Sequence, residues 1–151
     1  MNLRNLYQQM ILDHNKHPKN FGRLSGATHS AEGYNPLCGD HYWVDLDVKD
    51  GLIKTIAFEG QGCAISKASA SMMTAALKGQ PTKQAETIFQ QFIEMITKPE
   101  VDKQAEPFQE RLASLQVFGG VRQFPARVKC ASLPWHTFKT ALEKRDRVST
   151  E

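Results

Sequence analysis

An α+β fold is expected for this 151-residue chain, on three observations. A helix-like stripe precedes any strand, an alternating run at residues 41–48 is followed by a second β-rich run at 52–58, and the remainder has helical spacing. One helix, a few antiparallel strands and then a run of helices imply a small antiparallel sheet, about three strands, with helices packed on one face. The other face can stay partly wet, as antiparallel sheets permit. The length suits one domain over residues 1–151, and no repeat or low-complexity linker divides it.

Taken in order, Leu3, Leu6, Tyr7, Met10, Ile11 and His14 form one apolar helical stripe. Asn2 suits the N-cap, and Pro18 stops the helix after His17. Residues 21–30 read as loop, with 27–33 a weak first strand. In 41–48, Tyr42, Val44, Leu46 and Val48 take one face and His41, Asp45 and Asp47 the other, with Trp43 the exception on the polar side. Asp50-Gly51 then turns the chain. A three-residue loop, Lys49-Asp50-Gly51, pairs Val48 with Leu52, Val44 with Ile56 and Tyr42 with Phe58. It is preferred over a two-residue loop pairing Val48 with Ile53, because it gathers the apolar side chains on one face, at the cost of Lys54 on the core side.

Gly60-Gln61-Gly62-Cys63 ends the hairpin. Residues 66–78, rich in Ala, Ser and Met, form a helix closed by Gly79, and its small side chains let it lie close to the sheet. Pro81-Thr82 opens another helix with Ile88, Phe89, Phe92, Ile93 and Ile96 as its apolar face, ended by Lys98-Pro99. Phe108, Leu112 and Leu115 support a short helix up to Gly119-Gly120. Residues 121–129, with Pro125, read as an extended connector. Ser132 caps the last helix, Pro134 falls in its first turn, and Trp135, Phe138, Ala141 and Leu142 face inward.

Composition excludes several function classes. The formal charge of +3 is small, and basic residues are scattered apart from Lys144-Arg145-Asp146-Arg147, which reads as a solvated helix end. No aromatic-interleaved basic patch points to nucleic acid. No signal-peptide hydrophobic region or membrane-length apolar run occurs, so a cytoplasmic protein without a membrane partner is expected. Three cysteines argue against a disulfide framework and for metal or thiol chemistry. Composition alone favours reading them as small buried hydrophobes.

Their positions point further. Asn35-Pro36-Leu37-Cys38-Gly39-Asp40 sets a thiol and a carboxylate two residues apart, both able to reach one ion, with Gly39 free to take the positive φ of a tight turn. Each cysteine falls at an expected boundary: Cys38 before a strand, Cys63 before a helix, Cys130 just before the last helix. Helix N-termini should lower the pKa of Cys63 and Cys130. Three thiolates and one carboxylate, Cys38, Cys63, Cys130 and Asp40, suit Zn²⁺ in softness and number. Lys67, Arg127 and Lys129 are adjacent cations that could offset the negative site. One oxygen ligand and no Cys-x-x-Cys pair lean toward a site that changes ligands. Spacing alone leaves the buried-cysteine reading open. The histidines lie apart in sequence, and strand alternation turns His41 away from Asp40. Ser69 and Ser71 have no base nearby in sequence.

The motifs resemble the IscU/NifU-like iron–sulfur assembly family, most closely its SufU branch. The matching stretches are Leu6-Tyr7 through Ile11-Leu12-Asp13-His14, Asn35-Pro36 with Cys38-Gly39-Asp40, Gly60-Gln61-Gly62-Cys63, Ala68-Ser69-Ala70-Ser71-Met72-Met73, and Phe124-Pro125-Ala126-Arg127-Val128-Lys129-Cys130-Ala131 with Trp135 after it. The resemblance implies the family's α+β fold with Cys38, Asp40, Cys63 and Cys130 around one metal. Housekeeping IscU-type scaffolds carry His before the last cysteine and Leu-Pro-Pro-Val-Lys upstream. This chain has Lys129 and Gln123-Phe124-Pro125-Ala126-Arg127 there, and a longer helical segment at 81–119 similar to the SufU insertion.

Those departures favour a zinc-bound sulfurtransferase over chaperone-assisted cluster transfer. The resemblance then implies a pyridoxal-phosphate cysteine desulfurase (SufS-like) as partner, Cys38 as the thiol that accepts persulfide sulfur, and downstream iron–sulfur assembly machinery as recipient. A scaffold assembling a transient [2Fe–2S] cluster on the same ligands is the alternative, and a structural zinc module for protein binding the second.

Overall fold

The computed structural model describes residues 3–98 and 110–150. In chain order these form helix α1 (Leu3–Lys16), strands β1 (His29–Asn35), β2 (Asp40–Lys49) and β3 (Leu52–Gln61), and helices α2 (Ala64–Leu77) and α3 (Thr82–Thr97). A 3-10 segment (Glu110–Gln123), helix α4 (Pro125–Leu142) and a short strand β4 (Arg147–Ser149) follow. The sheet order is β3-β2-β1-β4. The α+β expectation holds, with one addition. The sheet has four strands and is mixed, because β4 joins the edge parallel to β1. Of the basic tail read as a solvated helix end, residues 144–146 are exposed just beyond α4 as expected, and Arg147 instead enters the strand. Arg147 pairs with Glu32 across it (Nη2 to Oε1 3.0 Å), and the Asp146 carbonyl accepts from the Glu32 N–H.

The central hairpin follows the alternation but not the expected register. Val48 pairs with Ile53 and Lys49 with Leu52 around a two-residue turn. Asp50 and Gly51 both have positive φ (54° and 74°), as a type I′ turn demands. A register shift beside Asp47 and Val48 then places Leu46 opposite Ile56 and Val44 opposite Phe58. This irregularity resolves the conflict that favoured the three-residue loop: the apolar residues share one face and Lys54 is exposed. Tyr42, Val44, Leu46, Ile53, Ile56 and Phe58 are fully buried. On the opposite face Trp43 stacks on His41 (4.3 Å), and Asp45 is bound by Arg23 (2.8 Å), Ser30 and the Leu24 N–H.

α4 departs most from expectation. It begins at Pro125, placed in the first turn where its missing N–H costs nothing, so residues 125–129 are helix and not connector. Ser132 lies mid-helix. Pro134 is an interior residue with no N–H for the Cys130 carbonyl four residues earlier. Packing overrides this break. Trp135 stacks on Phe92 (4.3 Å) and donates its indole N–H to Ser69 (3.1 Å), while Ser69 donates to the Ala131 carbonyl (2.6 Å). A stacked aromatic pair adds about 0.5–1.5 kcal/mol beyond the area it buries. These contacts tie α4 to α2 one residue beyond Cys130.

The segment expected to stop at Gly119-Gly120 continues through both as 3-10 helix to Gln123. Expectations for Asn2 and Phe108 lie outside the described residues. α1 rests on the core through Tyr7, Met10 and Ile11, and His14 meets Ser71 (2.7 Å). Among the described residues no helix is long and apolar enough to cross a membrane.

Gly33 sets how closely α4 approaches β1. A Cβ there would overlap the Thr137 hydroxyl and lie 3.2 Å from Leu133. Gly33→Ala should therefore lower unfolding stability by about 1–3 kcal/mol, the usual cost of overpacking. Urea denaturation checks this, and an unchanged midpoint would mean that α4 does not depend on the close approach.

Candidate metal centre

The β1–β2 connection is residues 36–39, all exposed, clamped at its base by Asn35 and Asp40, which pair across the strands. The Asn35 carbonyl accepts from the Gly39 N–H (2.9 Å), and its side-chain Oδ1 accepts from the Leu37 N–H (3.3 Å). Gly39 takes the expected positive φ (72°). The clamp leaves Cys38 exposed beside Leu37, which is 67% exposed.

Asp40 is fully buried. Its Oδ1 accepts from the Cys63 N–H (2.9 Å) and from the Ser66 hydroxyl (3.1 Å), and its Oδ2 from the Asn35 amide (3.3 Å). Among the described residues no ion pair reaches it. Gly62 is required here, since a Cβ would collide with the Asp40 carboxylate and lie 2.5 Å from the Ser66 hydroxyl.

Cys63 caps α2, its sulfur accepting from the Ser66 N–H (3.4 Å). A hydrogen bond from Cys130, helped by Ser66 and opposed by burial, pulls Cys63 down to about 6. Cys130 moves the other way: its bond to Cys63, burial and the neighbouring Cys38 hold it up as a thiol. The expectation that both would be lowered fails for Cys130, because α4 starts five residues before it and no free helix N–H faces it. Cys130 Sγ lies 3.3 Å from Cys38 Sγ, and the Asn35 amide also reaches it (3.8 Å).

Cys38, Asp40 and Cys130 thus form a group whose potential ligand atoms all lie within 4.8 Å of one another. Cys63 adjoins it through its N–H to Asp40 (2.9 Å), with its sulfur on Ser66. Of the four residues singled out in the sequence, the structure brings Cys38, Asp40 and Cys130 into this group and sets Cys63 beside it. The three cations do not reach the carboxylate: Lys67 lies over Phe21 (5.3 Å) and Arg127 over Phe124 (4.4 Å), while Lys129 is half-buried on α4. His41 points away, as expected, onto Glu32 and Trp43.

Sequence reasoning missed the supporting groups. Ser66 bridges Asp40, Cys63 and the buried Tyr42 hydroxyl (2.9 Å), and Asn35 ties Asp40 to Cys130. Ser66 was legible as the third residue after a capping position. For Asn35 the signal was its place at the foot of the chelating turn.

Comparison with known proteins places the chain in a family. Residues 6–131 match the family described as the NifU-like N terminal domain. The chain is 37% identical over 145 residues to the zinc-dependent sulfurtransferase SufU of Bacillus subtilis, covering 96% of this chain and 95% of that protein. It is 39% identical over 143 residues to the iron–sulfur cluster assembly scaffold protein IscU of Thermotoga maritima, covering 94% and 96%. A crystal structure described as that of a candidate iron–sulfur cluster assembly scaffold protein for the SUF system, from Fervidobacterium islandicum AW-1, superposes with a TM-score of 0.78 at 30% identity, covering 93% of this chain and 99% of that one. The chain belongs to the NifU-like N-terminal domain family, on both its sequence and its fold.

Proposed function

We propose that the protein is a zinc-bound sulfur acceptor that takes persulfide sulfur from a cysteine desulfurase on Cys38 and hands it to iron–sulfur cluster assembly. One observation carries this reading. Of the four candidate ligands, Cys38 alone is exposed and sits on an exposed loop, whereas Asp40 and Cys130 are buried and Cys63 is half-buried at a helix cap. Such a site can release one ligand and keep the others.

The donor set fits the ion. Three soft thiolate sulfurs and one harder carboxylate oxygen make a four-donor set of the kind the borderline Zn²⁺ ion takes. A buried carboxylate with neutral donors and no cation is costly, by several kcal/mol per unpaired ion, which a divalent metal offsets. Two donors already occupy Asp40 Oδ1, so Oδ2, with one longer bond, is the more open ligand atom. Bound zinc supplies the positive charge that keeps the thiols deprotonated.

The chain's own residues do the rest. The Asn35 clamp holds the Cys38 turn at the surface, where a partner's persulfide can reach it. Cys38 sulfur attacks the terminal sulfur of that persulfide: the new S–S bond forms on Cys38, the donor's S–S bond breaks, and the donor cysteine leaves as thiolate. Asp40, Cys63 and Cys130 stay in place through Ser66 and Asn35. The protein would act in the cytoplasm.

A second reading, assembly of a [2Fe–2S] cluster on the same residues, draws on relatives named as IscU scaffolds. Lys129, where IscU-type scaffolds carry His, weighs against it. Anaerobic reconstitution separates the two: a stable cluster passed to an apo-acceptor favours scaffolding.

The direct test is sulfide release by a pyridoxal-phosphate cysteine desulfurase. The wild-type chain should stimulate it and Cys38→Ala should not; full stimulation by the variant sinks the proposal. Asn35→Ala should weaken zinc binding roughly 10–100-fold, as loss of a ligand-orienting partner does, and should also lower the stability of the zinc-free chain by about 1–3 kcal/mol, because the buried Asp40 carboxylate loses a donor. Competition against a chromogenic chelator reads the binding, and unchanged affinity would remove Asn35 from the site.

A further inference from the structure

We infer that Cys130 is a built-in resolving thiol for Cys38: an oxidant that attacks Cys38 leaves a Cys38–Cys130 disulfide. The two sulfurs are 3.3 Å apart and differ in access, Cys38 exposed and Cys130 4% exposed. A disulfide needs about 2.05 Å, so the pair must close by about 1.3 Å. The loop 36–39 can supply that movement at its tip, since all four residues are exposed and a side chain added at Gly39 would meet nothing within 4 Å. Cys130 is held on α4 by the packing around Trp135 and by the Asn35 amide. Cys63 is the less suited partner. Its sulfur is engaged by Ser66, and it lies outside the group in which the Cys38 and Cys130 sulfurs come together.

The chemistry balances with a hydroperoxide as oxidant. Cys38 sulfur bonds one peroxide oxygen, the O–O bond breaks, and the departing hydroxide leaves as water with the thiol proton; Cys38 is then a sulfenic acid. Cys130 sulfur attacks Cys38 Sγ, the S–O bond breaks, and the second hydroxide leaves as water with the Cys130 proton. Two thiols have lost two electrons, and hydrogen peroxide has become two waters. On the sulfur-acceptor reading, and resting on it, a Cys38 persulfide faces the same neighbour: Cys130 attack on Cys38 Sγ forms the disulfide and releases the carried sulfur as H₂S. Both sulfurs are also proposed zinc ligands, so disulfide and zinc compete for them, and a filled site protects the carried sulfur.

The test treats the zinc-stripped chain with one equivalent of hydrogen peroxide and maps thiols by alkylation and peptide mass spectrometry. The expected result is loss of the mass of two hydrogen atoms, a Cys38–Cys130 cross-linked peptide, and Cys63 as the single alkylated cysteine; dithiothreitol reverses it. A cross-link through Cys63, or sulfinic acid on Cys38 with Cys130 still alkylated, overturns the inference. The zinc-loaded chain, titrated with peroxide in a chromogenic chelator, should release zinc in step with the cross-link. A cross-link formed with zinc retained would uphold the thiol pair and refute the metal assignment, so the two failures are told apart. No desulfurase enters either arm, so the outcome is independent of the sulfur-transfer reading.

Discussion

The Asp40 carboxylate is where the separate parts of this chain meet. It is buried at the first residue of β2, and its two oxygens take hydrogen bonds from the end of β1, from the backbone entering α2 and from the first turn of α2. Asn35, one of those donors, also reaches Cys130 on α4. A carboxylate so placed costs several kcal/mol of desolvation that neutral donors repay only in part. Holding it demands a bare Gly62 beneath it and an α4 packed tightly enough on Gly33 to bring Cys130 across. The hairpin, both helices and the close sheet contact can be seen as the structure that keeps one expensive group in position.

That arrangement divides the site into fixed and free members. The fixed ones sit on strand and helix ends and share hydrogen bonds through Ser66 and Asn35. The free one, Cys38, hangs on a four-residue exposed loop whose base is clamped while its tip is open. A sulfur carrier needs this asymmetry, because the thiol that meets a partner must leave the metal without emptying the site. The same asymmetry exposes Cys38 to oxidants and places a second thiol next to it.

Much of this was legible in the sequence, and the exceptions have physical causes. The alternation of Tyr42, Val44 and Leu46 against Trp43 and Asp45 gave the central strand, and the spacing of Ile88, Phe89, Phe92 and Ile96 gave α3. The hairpin register was misjudged because period-two reasoning cannot anticipate an irregularity that restores the pattern after a tight turn. α4 was started too late because Pro125, Pro134 and Ser132 each carry a local signal that packing by Trp135, Phe92 and Ser69 overrides. β4 has only three residues and is held by backbone pairing with β1, a tertiary contact no local pattern encodes. For the site, the chelating turn pointed to Cys38 and Asp40, the boundary positions of Cys63 and Cys130 suggested that they share it, and the family resemblance strengthened that grouping. The Asn35 and Ser66 bridges depend on which elements the fold brings together.

The claim on which the rest turns is that four residues hold one zinc ion and that Cys38 is the ligand it can lose. Zinc-edge X-ray absorption on the zinc-loaded chain and on Cys38→Ala addresses it directly. The account predicts three sulfurs and one light atom around zinc in the wild type, and two sulfurs around a still-bound zinc in the variant. An unchanged sulfur count in the variant, or zinc lost from it altogether, would contradict the account.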